Sequence, residues 1–266
     1  MNDTVSAAIL GLVQGLTEFL PVSSSGHLVL FQRWLPVTGS HVAFDLALHL
    51  GTLLPVLLVY RDDFRLILQD IVAGEGAWRD RPGVRLLAFL AIGSLPTAAI
   101  GLLLQDWFEA AFSNPISVGV AFAVTGTVLY LTRFAPRGEV DLRTMNPTRA
   151  LLVGLAQGIA ITPGISRSGS TIAAGLFLGL RRDVAARYSF LLSIPAILGA
   201  FSLKVGELST DQASLGPLVV GFAASAVSGY LALRVLLKLV DSGDFSRFCW
   251  YLWALSAVAL GMALLG

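Results

Sequence analysis

Residues 11–28 read Gly11-Leu12-Val13-Gln14-Gly15-Leu16-Thr17-Glu18-Phe19-Leu20-Pro21-Val22-Ser23-Ser24-Ser25-Gly26-His27-Leu28. An apolar run that begins near residue 4 is broken here by a proline and a Ser-Gly loop, and a shorter run follows from Leu28 to Leu35. A helix needs about 20 mostly apolar residues to cross a bilayer, so neither run crosses alone. Irregular backbone at membrane depth survives only when buried in protein or facing a watery cavity. Residues 4–37 are therefore expected to form a re-entrant pair of half-length helices.

A second interrupted segment follows the same plan. Residues 149–180 hold the apolar run Ala150 to Ile161, the loop Pro163-Gly164-Ile165-Ser166-Arg167-Ser168-Gly169, and a further run from Ile172 to Leu180. A shift of 143 positions lays Gly11-Leu12-Val13-Gln14-Gly15 on Gly154-Leu155-Ala156-Gln157-Gly158. The same shift lays Ser23, Ser25 and Gly26 on Ser166, Ser168 and Gly169.

Between and after these hairpins, six segments are long and apolar enough to span. They run from Val42 to Tyr60, Arg85 to Gln105, Ile116 to Phe134, Ala185 to Lys204, Leu215 to Lys238 and Phe248 to Leu265. The expected fold is an all-α polytopic membrane protein in one integral domain, 1–266. It has two halves, 1–134 and 148–266, each a hairpin plus three spans. Three crossings is an odd number, so the second half is inverted. Broken segments paired across an inverted repeat point to a binding site at the midplane.

Composition agrees. Hydrophobic residues make up 55% and charged residues 13%, whereas soluble domains carry about 25% charged residues. The mean hydropathy is +0.77. A net charge of +1 is no nucleic-acid footprint. The single cysteine, Cys249, excludes an internal disulfide. The N-terminus lacks a basic region, and Gln14 and Glu18 interrupt its apolar run, so no cleaved leader is expected.

Basic residues set the expected orientation. Arg61, Arg65, Arg79, Arg81, Arg85, Arg133, Arg137, Arg143, Arg149, Arg181, Arg182, Arg187, Lys238 and Arg247 fall on one side, and only Arg33 and Lys204 on the other. By the positive-inside rule the first side is cytoplasmic, which places both termini and the mouth of the first hairpin outside. Arg234 reads as snorkelling from a helix end. Arg167, inside a hinge, is left over.

Polar groups inside a membrane are expensive and point to function. Gln14 and Glu18 are spaced i,i+4 on one helical face and can address one ligand or metal. The loops Ser23-Ser24-Ser25-Gly26 and Ser166-Arg167-Ser168-Gly169-Ser170-Thr171 each start a half-helix, where free N–H groups favour an anion. His27 can exchange a proton near neutral pH, and the forked guanidinium of Arg167 matches phosphate oxygens. A cradle, a hydroxyl, a base, a carboxylate and a clamp suit phosphoryl transfer. Plainer readings stand beside these: Ser-Gly clusters also break helices, Glu18 also bonds between helices, and a lone histidine is more often structural. His41, Asp45 and His49 share one face; the histidines read as structural and Asp45 as either structural or water-organising. Gly221, Ser225 and Gly229 read as packing contacts.

The run Gln14 to Leu28 resembles the first signature of the bacterial undecaprenyl-diphosphate phosphatase family associated with bacitracin resistance. Pro163-Gly164-Ile165-Ser166-Arg167-Ser168-Gly169-Ser170-Thr171 is similar to its second, Pro-Gly-x-Ser-Arg-Ser-x-x-Thr. The likeness extends over the whole chain. It implies an inner-membrane hydrolase that converts undecaprenyl diphosphate to the monophosphate carrier reused in peptidoglycan synthesis, and a divalent cation, Mg²⁺ or Ca²⁺, as cofactor. Glu18 and Gln14 are the metal candidates; the family allows Glu or Gln at position 14, and a neutral amide binds such cations more weakly than a carboxylate.

With that resemblance, Arg167, Ser166, Ser168 and Thr171 are expected to hold the phosphates, and Ser23, Ser25 and Gly26 to form the first loop's cradle. Ser24 attacks the terminal phosphorus, with His27 or Glu18 managing the proton. His27 attacking directly or activating water is the alternative route. A lipid-phosphate transporter using the same midplane site is the alternative function. An oligomer is neither implied nor excluded, and prenyl-chain selectivity is not legible.

Overall fold

The computed structural model describes residues 2–32, 34–35, 41–74, 77, 80–112, 114–204 and 215–265. Arg33 and Arg79, used in the charge asymmetry above, lie outside these residues, as does the His41 side chain.

Among the described residues the regular structure is helical, apart from one isolated bridge between Val140 and Leu180. The helices are α1 (Asp3–Phe19), α2 (Ser24–Phe31), α3 (His41–Val59), α4 (Arg61–Ala73), α5 (Pro82–Leu103), α6 (Gln105–Phe112), α7 (Pro115–Leu131), α8 (Pro147–Ile159), α9 (Arg167–Phe177), α10 (Arg182–Lys204), α11 (Leu215–Ser242) and α12 (Phe248–Leu265). Six segments are long and apolar enough to cross a membrane, and they coincide with the six expected from sequence: Val42–Val59, Pro82–Leu103, Pro115–Phe134, Arg182–Lys204, Leu215–Ser242 and Asp244–Leu264. Their outward faces carry exposed apolar side chains such as Leu58, Leu95, Val227 and Trp250. Water would oppose that arrangement, and lipid tails do not.

Two helices were not foreseen. Only Tyr60 separates α3 from α4, whose first turn places Asp62 and Asp63 at the positive end of the helix dipole. Asp63 is buried and accepts from Arg187 Nε of α10 at 2.8 Å, while Leu68, Ile71 and Val72 stay exposed. Gly74, with φ +68°, ends α4 in the left-handed conformation that glycine adopts freely. The short α6 buries Phe108 and Ala111 after the second span.

The interrupted segments are broken where the sequence indicates. α1 stops at Phe19 and α2 restarts at Ser24, while α8 stops at Ile159 and α9 restarts at Arg167. These helices have 17, 8, 13 and 11 residues. All four fall short of the roughly 20 needed to span.

Small residues bring each pair into place. α1 packs along α11, and a Cβ on Gly15 would sit 2.1 Å from Ser228 Oγ. α8 packs along α5, and a Cβ on Gly154 would sit 1.9 Å from the Gly93 carbonyl oxygen. The first broken segment thus lies along the fifth candidate span, and the second broken segment along the second. Of the small residues on α11, Gly221 meets Leu48 and Phe44, Gly229 meets Phe19, and Ser225 donates to the Leu48 carbonyl at 2.9 Å. The main core, including Phe19, Phe122, Tyr188 and Phe190, lies between the two broken segments and the spans around them.

Candidate active site

The start of α2 is built on a strained serine. Ser23 has φ 67° and ψ 97°, and its Oγ accepts from Gly26 N at 3.3 Å, capping the helix. The side chain of Ser23 also lies 3.3 Å from Ser25 Oγ. At the start of α9, Ser166 does the same work without strain, at φ −74°, with Oγ accepting from Gly169 N at 3.1 Å. Thr125 of α7 ties that loop down by accepting from Ser166 N at 3.2 Å and donating to the Gly164 carbonyl at 3.2 Å.

The two loops meet at Glu18. Its Oε2 accepts from Ser24 Oγ at 2.5 Å and from Gln14 Nε2 at 3.0 Å, and its Oε1 accepts from Arg167 Nη2. Glu18 and Arg167 are 149 residues apart, and both are largely buried, with side chains 7% and 16% exposed. A buried guanidinium without a counter-charge would be costly; Glu18 supplies that counter-charge. Only one arm of the fork is used, since Nη1 of Arg167 is buried without a partner. The amide oxygen of Gln14 is likewise buried and unpartnered.

A cavity of about 520 Å³ opens beside this cluster, lined by Glu18, Ser23, Ser24, Ser25, Ser166 and Arg167 from the two broken segments. Gln32, Asp45, His49, Thr97, Glu109, Gln157 and Lys204 complete its polar wall, and Leu28, Val29, Val42, Ile161, Ile165 and Ile197 its apolar wall. A lining that combines charged and polar side chains with apolar ones suits an amphiphile with a charged head.

The remaining candidates take other positions. Ser168 and Thr171 are buried outside the cavity lining: Ser168 Oγ donates to the Leu20 carbonyl at 3.3 Å, and Thr171 Oγ1 donates to the Arg167 carbonyl at 2.8 Å. They tie α9 to the end of α1 and close its first turn. His27 is 3% exposed and also outside the lining, with Nδ1 2.7 Å from the Ser23 carbonyl and Nε2 2.7 Å from the Tyr251 hydroxyl. Among the described residues the histidine on the cavity wall is His49, expected from the sequence to be structural. Its Nδ1 donates to the Asp45 carbonyl at 2.7 Å, and its Nε2 lies 3.9 Å from Glu18 Oε2. Asp45 accepts from Gln32 Nε2 at 2.6 Å. The i,i+4 stripe Asp45–His49 was the available signal for this wall, but periodicity alone does not say what a face meets.

Comparison with known proteins finds relatives along nearly the whole chain. The profile of the family described as "Bacitracin resistance protein BacA" matches residues 7–258. The undecaprenyl-diphosphatase of Desulfosudis oleivorans is 45% identical over 97% of this chain and 98% of its own length. That of Carboxydothermus hydrogenoformans is 42% identical over 97% of both chains, and that of Rubrobacter xylanophilus 40% over 100% of both.

Proposed function

The chain belongs to the bacitracin resistance protein BacA family, and from that premise we propose how its site performs the family's reaction. The protein is an undecaprenyl-diphosphatase: it hydrolyses undecaprenyl diphosphate to the monophosphate and phosphate, within a multi-pass membrane fold. The observation that carries the reading is the convergence of the Ser24 hydroxyl, the Glu18 carboxylate and the Arg167 guanidinium, from two separate helix breaks, on one cavity.

The prenyl tail lies against the apolar wall, and the diphosphate enters the polar end. Arg167, whose side chain lines the cavity, grips the terminal phosphate with loop N–H groups of Ser24 and Ser25. Ser24 Oγ attacks the terminal phosphorus as its proton passes to Glu18 Oε2. The bond from phosphorus to the bridging oxygen breaks, and undecaprenyl monophosphate leaves. Water then attacks the phosphoserine; its proton goes to His49 Nε2, the Glu18 proton returns to Ser24 Oγ, and phosphate is released. Ser23 and Gly26 shape the first loop, while Ser166, Ser168 and Thr171 hold the second in register.

The family implies a divalent cation. Glu18, a carboxylate at the cavity, would be its protein ligand, whereas Gln14 is buried outside the cavity lining and turns its amide N–H to Glu18. Among the described residues no three His, Cys, Asp or Glu side chains gather to hold a metal ion, so substrate oxygens and water would complete the shell, as is usual for Mg²⁺. When bound, the cation would neutralise charge on the diphosphate oxygens.

The two broken segments are re-entrant, entering from opposite faces, and the arginine-rich side is cytoplasmic, which opens the cavity outward. The deciding experiment is phosphate release from undecaprenyl diphosphate by purified protein in detergent. Release, with label trapped on Ser24, supports the reading. A pure lipid-phosphate transporter would release none.

A further inference from the structure

His27 is held at both ring nitrogens. The Ser23 carbonyl can only accept, so Nδ1 carries the proton and donates to it at 2.7 Å. In the neutral ring Nε2 is then an acceptor, and it takes the Tyr251 hydroxyl of α12 at 2.7 Å. The two rings are stacked, with centroids 5.8 Å apart and planes 6° from parallel, and Phe122 of α7 meets the histidine edge-on at 5.7 Å. His27 is thus wedged between two spans, with neither nitrogen left for the cavity.

What it holds is unusual. Ser23 is the one non-glycine residue with positive φ among the described residues. Such a conformation persists only where the surroundings enforce it. The other half of the chain provides the contrast: at the shift of 143, Ser166 replaces Ser23 and Ser170 replaces His27. There, with no histidine to hold the carbonyl, the capping serine has an ordinary extended backbone at φ −74° and ψ 118°. The strained serine comes with the histidine clamp, and the residue it aims is Ser24, whose Oγ lies 2.5 Å from Glu18 Oε2.

We propose that Tyr251 is a positioning residue for the hydrolysis: it fixes the His27 ring, His27 holds the Ser23 carbonyl, and Ser23 aims Ser24 at Glu18. The proposal rests on the reading of Ser24 as nucleophile. It takes His27 out of proton transfer and gives α12, which contributes nothing to the cavity wall, a part in the reaction.

The test compares phosphate release from undecaprenyl diphosphate by the full-length chain in detergent for Tyr251→Phe, His27→Asn, His27→Ala and the double variant Tyr251→Phe/His27→Asn. Tyr251→Phe keeps the stacked ring and removes only the hydroxyl. Asparagine can place an amide N–H near the position of Nδ1 and has no counterpart of Nε2. Tyr251→Phe should lower kcat about tenfold, the scale of one lost hydrogen bond, with KM unchanged. His27→Asn should turn over about tenfold faster than His27→Ala, since it keeps the donor to Ser23. Adding Tyr251→Phe to His27→Asn should change nothing further. Wild-type turnover in Tyr251→Phe, or an asparagine variant as slow as the alanine one, overturns the proposal; the second result would put Nε2 in contact with the substrate. The nucleophile reading stands separately, on phosphate trapped on Ser24 in the wild-type protein.

Discussion

Ser24 and Glu18 are six residues apart, and the 2.5 Å hydrogen bond between them exists because the chain stops being helical in between. In a continuous helix a separation of six turns side chains to different faces. The break at 20–23 folds α2 back so that the hydroxyl at its start meets the carboxylate at the end of α1.

Removing the hydroxyl should therefore abolish turnover while leaving the fold. Ser24→Ala is expected to lower kcat by about 10³-fold or more, the scale of losing a nucleophile, with a thermal midpoint near that of the wild type. Retention of more than a tenth of the activity would move the attack to another group.

Arg167 and Glu18 should behave as a coupled pair. Arg167→Ala leaves a buried carboxylate without its cation and is expected to cost about 3–5 kcal/mol of stability. Arg167→Ala with Glu18→Gln should recover part of that loss in thermal unfolding while remaining inactive. If the double variant is less stable than Arg167→Ala, the two side chains are not each other's counter-charge.

His49 should matter to the chemistry more than its exposure suggests. His49→Leu is expected to slow phosphate release about 10²-fold, within the usual range for a general acid–base group, with little change in the thermal midpoint. A large drop in stability with normal residual kcat would make it a packing residue instead.

Helix contact at Gly154 should tolerate nothing larger. A Cβ there would stand 1.9 Å from the Gly93 carbonyl oxygen, so Gly154→Ala forces α8 away from α5 and should cost about 1–3 kcal/mol. Gly199→Ala meets nothing within 4 Å and should be neutral or stabilising. Both follow from thermal unfolding in one detergent.

Orientation can be read by labelling. In a Cys249→Ala background, Arg143→Cys should react with a membrane-impermeant maleimide only after the cells are opened. Labelling in intact spheroplasts would invert the assigned topology.

Much of this was legible in the chain. The scarcity of charge dictated a membrane fold, and the lengths of the apolar runs gave six spans within a few residues of those observed. The Pro, Gly and Ser clusters marked both breaks, because those residues cap and terminate helices by local chemistry. The motif residues Glu18, Ser24 and Arg167 could be named as candidates because charge and polarity inside a membrane are costly wherever they occur. The helices α4 and α6 were missed because they are short and amphipathic, and nothing in them reaches the length or apolarity of a span.

Only the tertiary structure decided which way each candidate faces. His27 lies within the first signature, yet α7 and α12 close around it and turn its nitrogens to Ser23 and Tyr251. His49 looked like one residue of a structural stripe, yet α1 brings Glu18 to it. Arg167 announced a missing counter-charge, and its partner lay 149 residues away. Local sequence sets where helices begin and end, since caps and breaks act over a few residues. Side-chain direction at a site depends on helices distant in sequence, and only their packing supplies it.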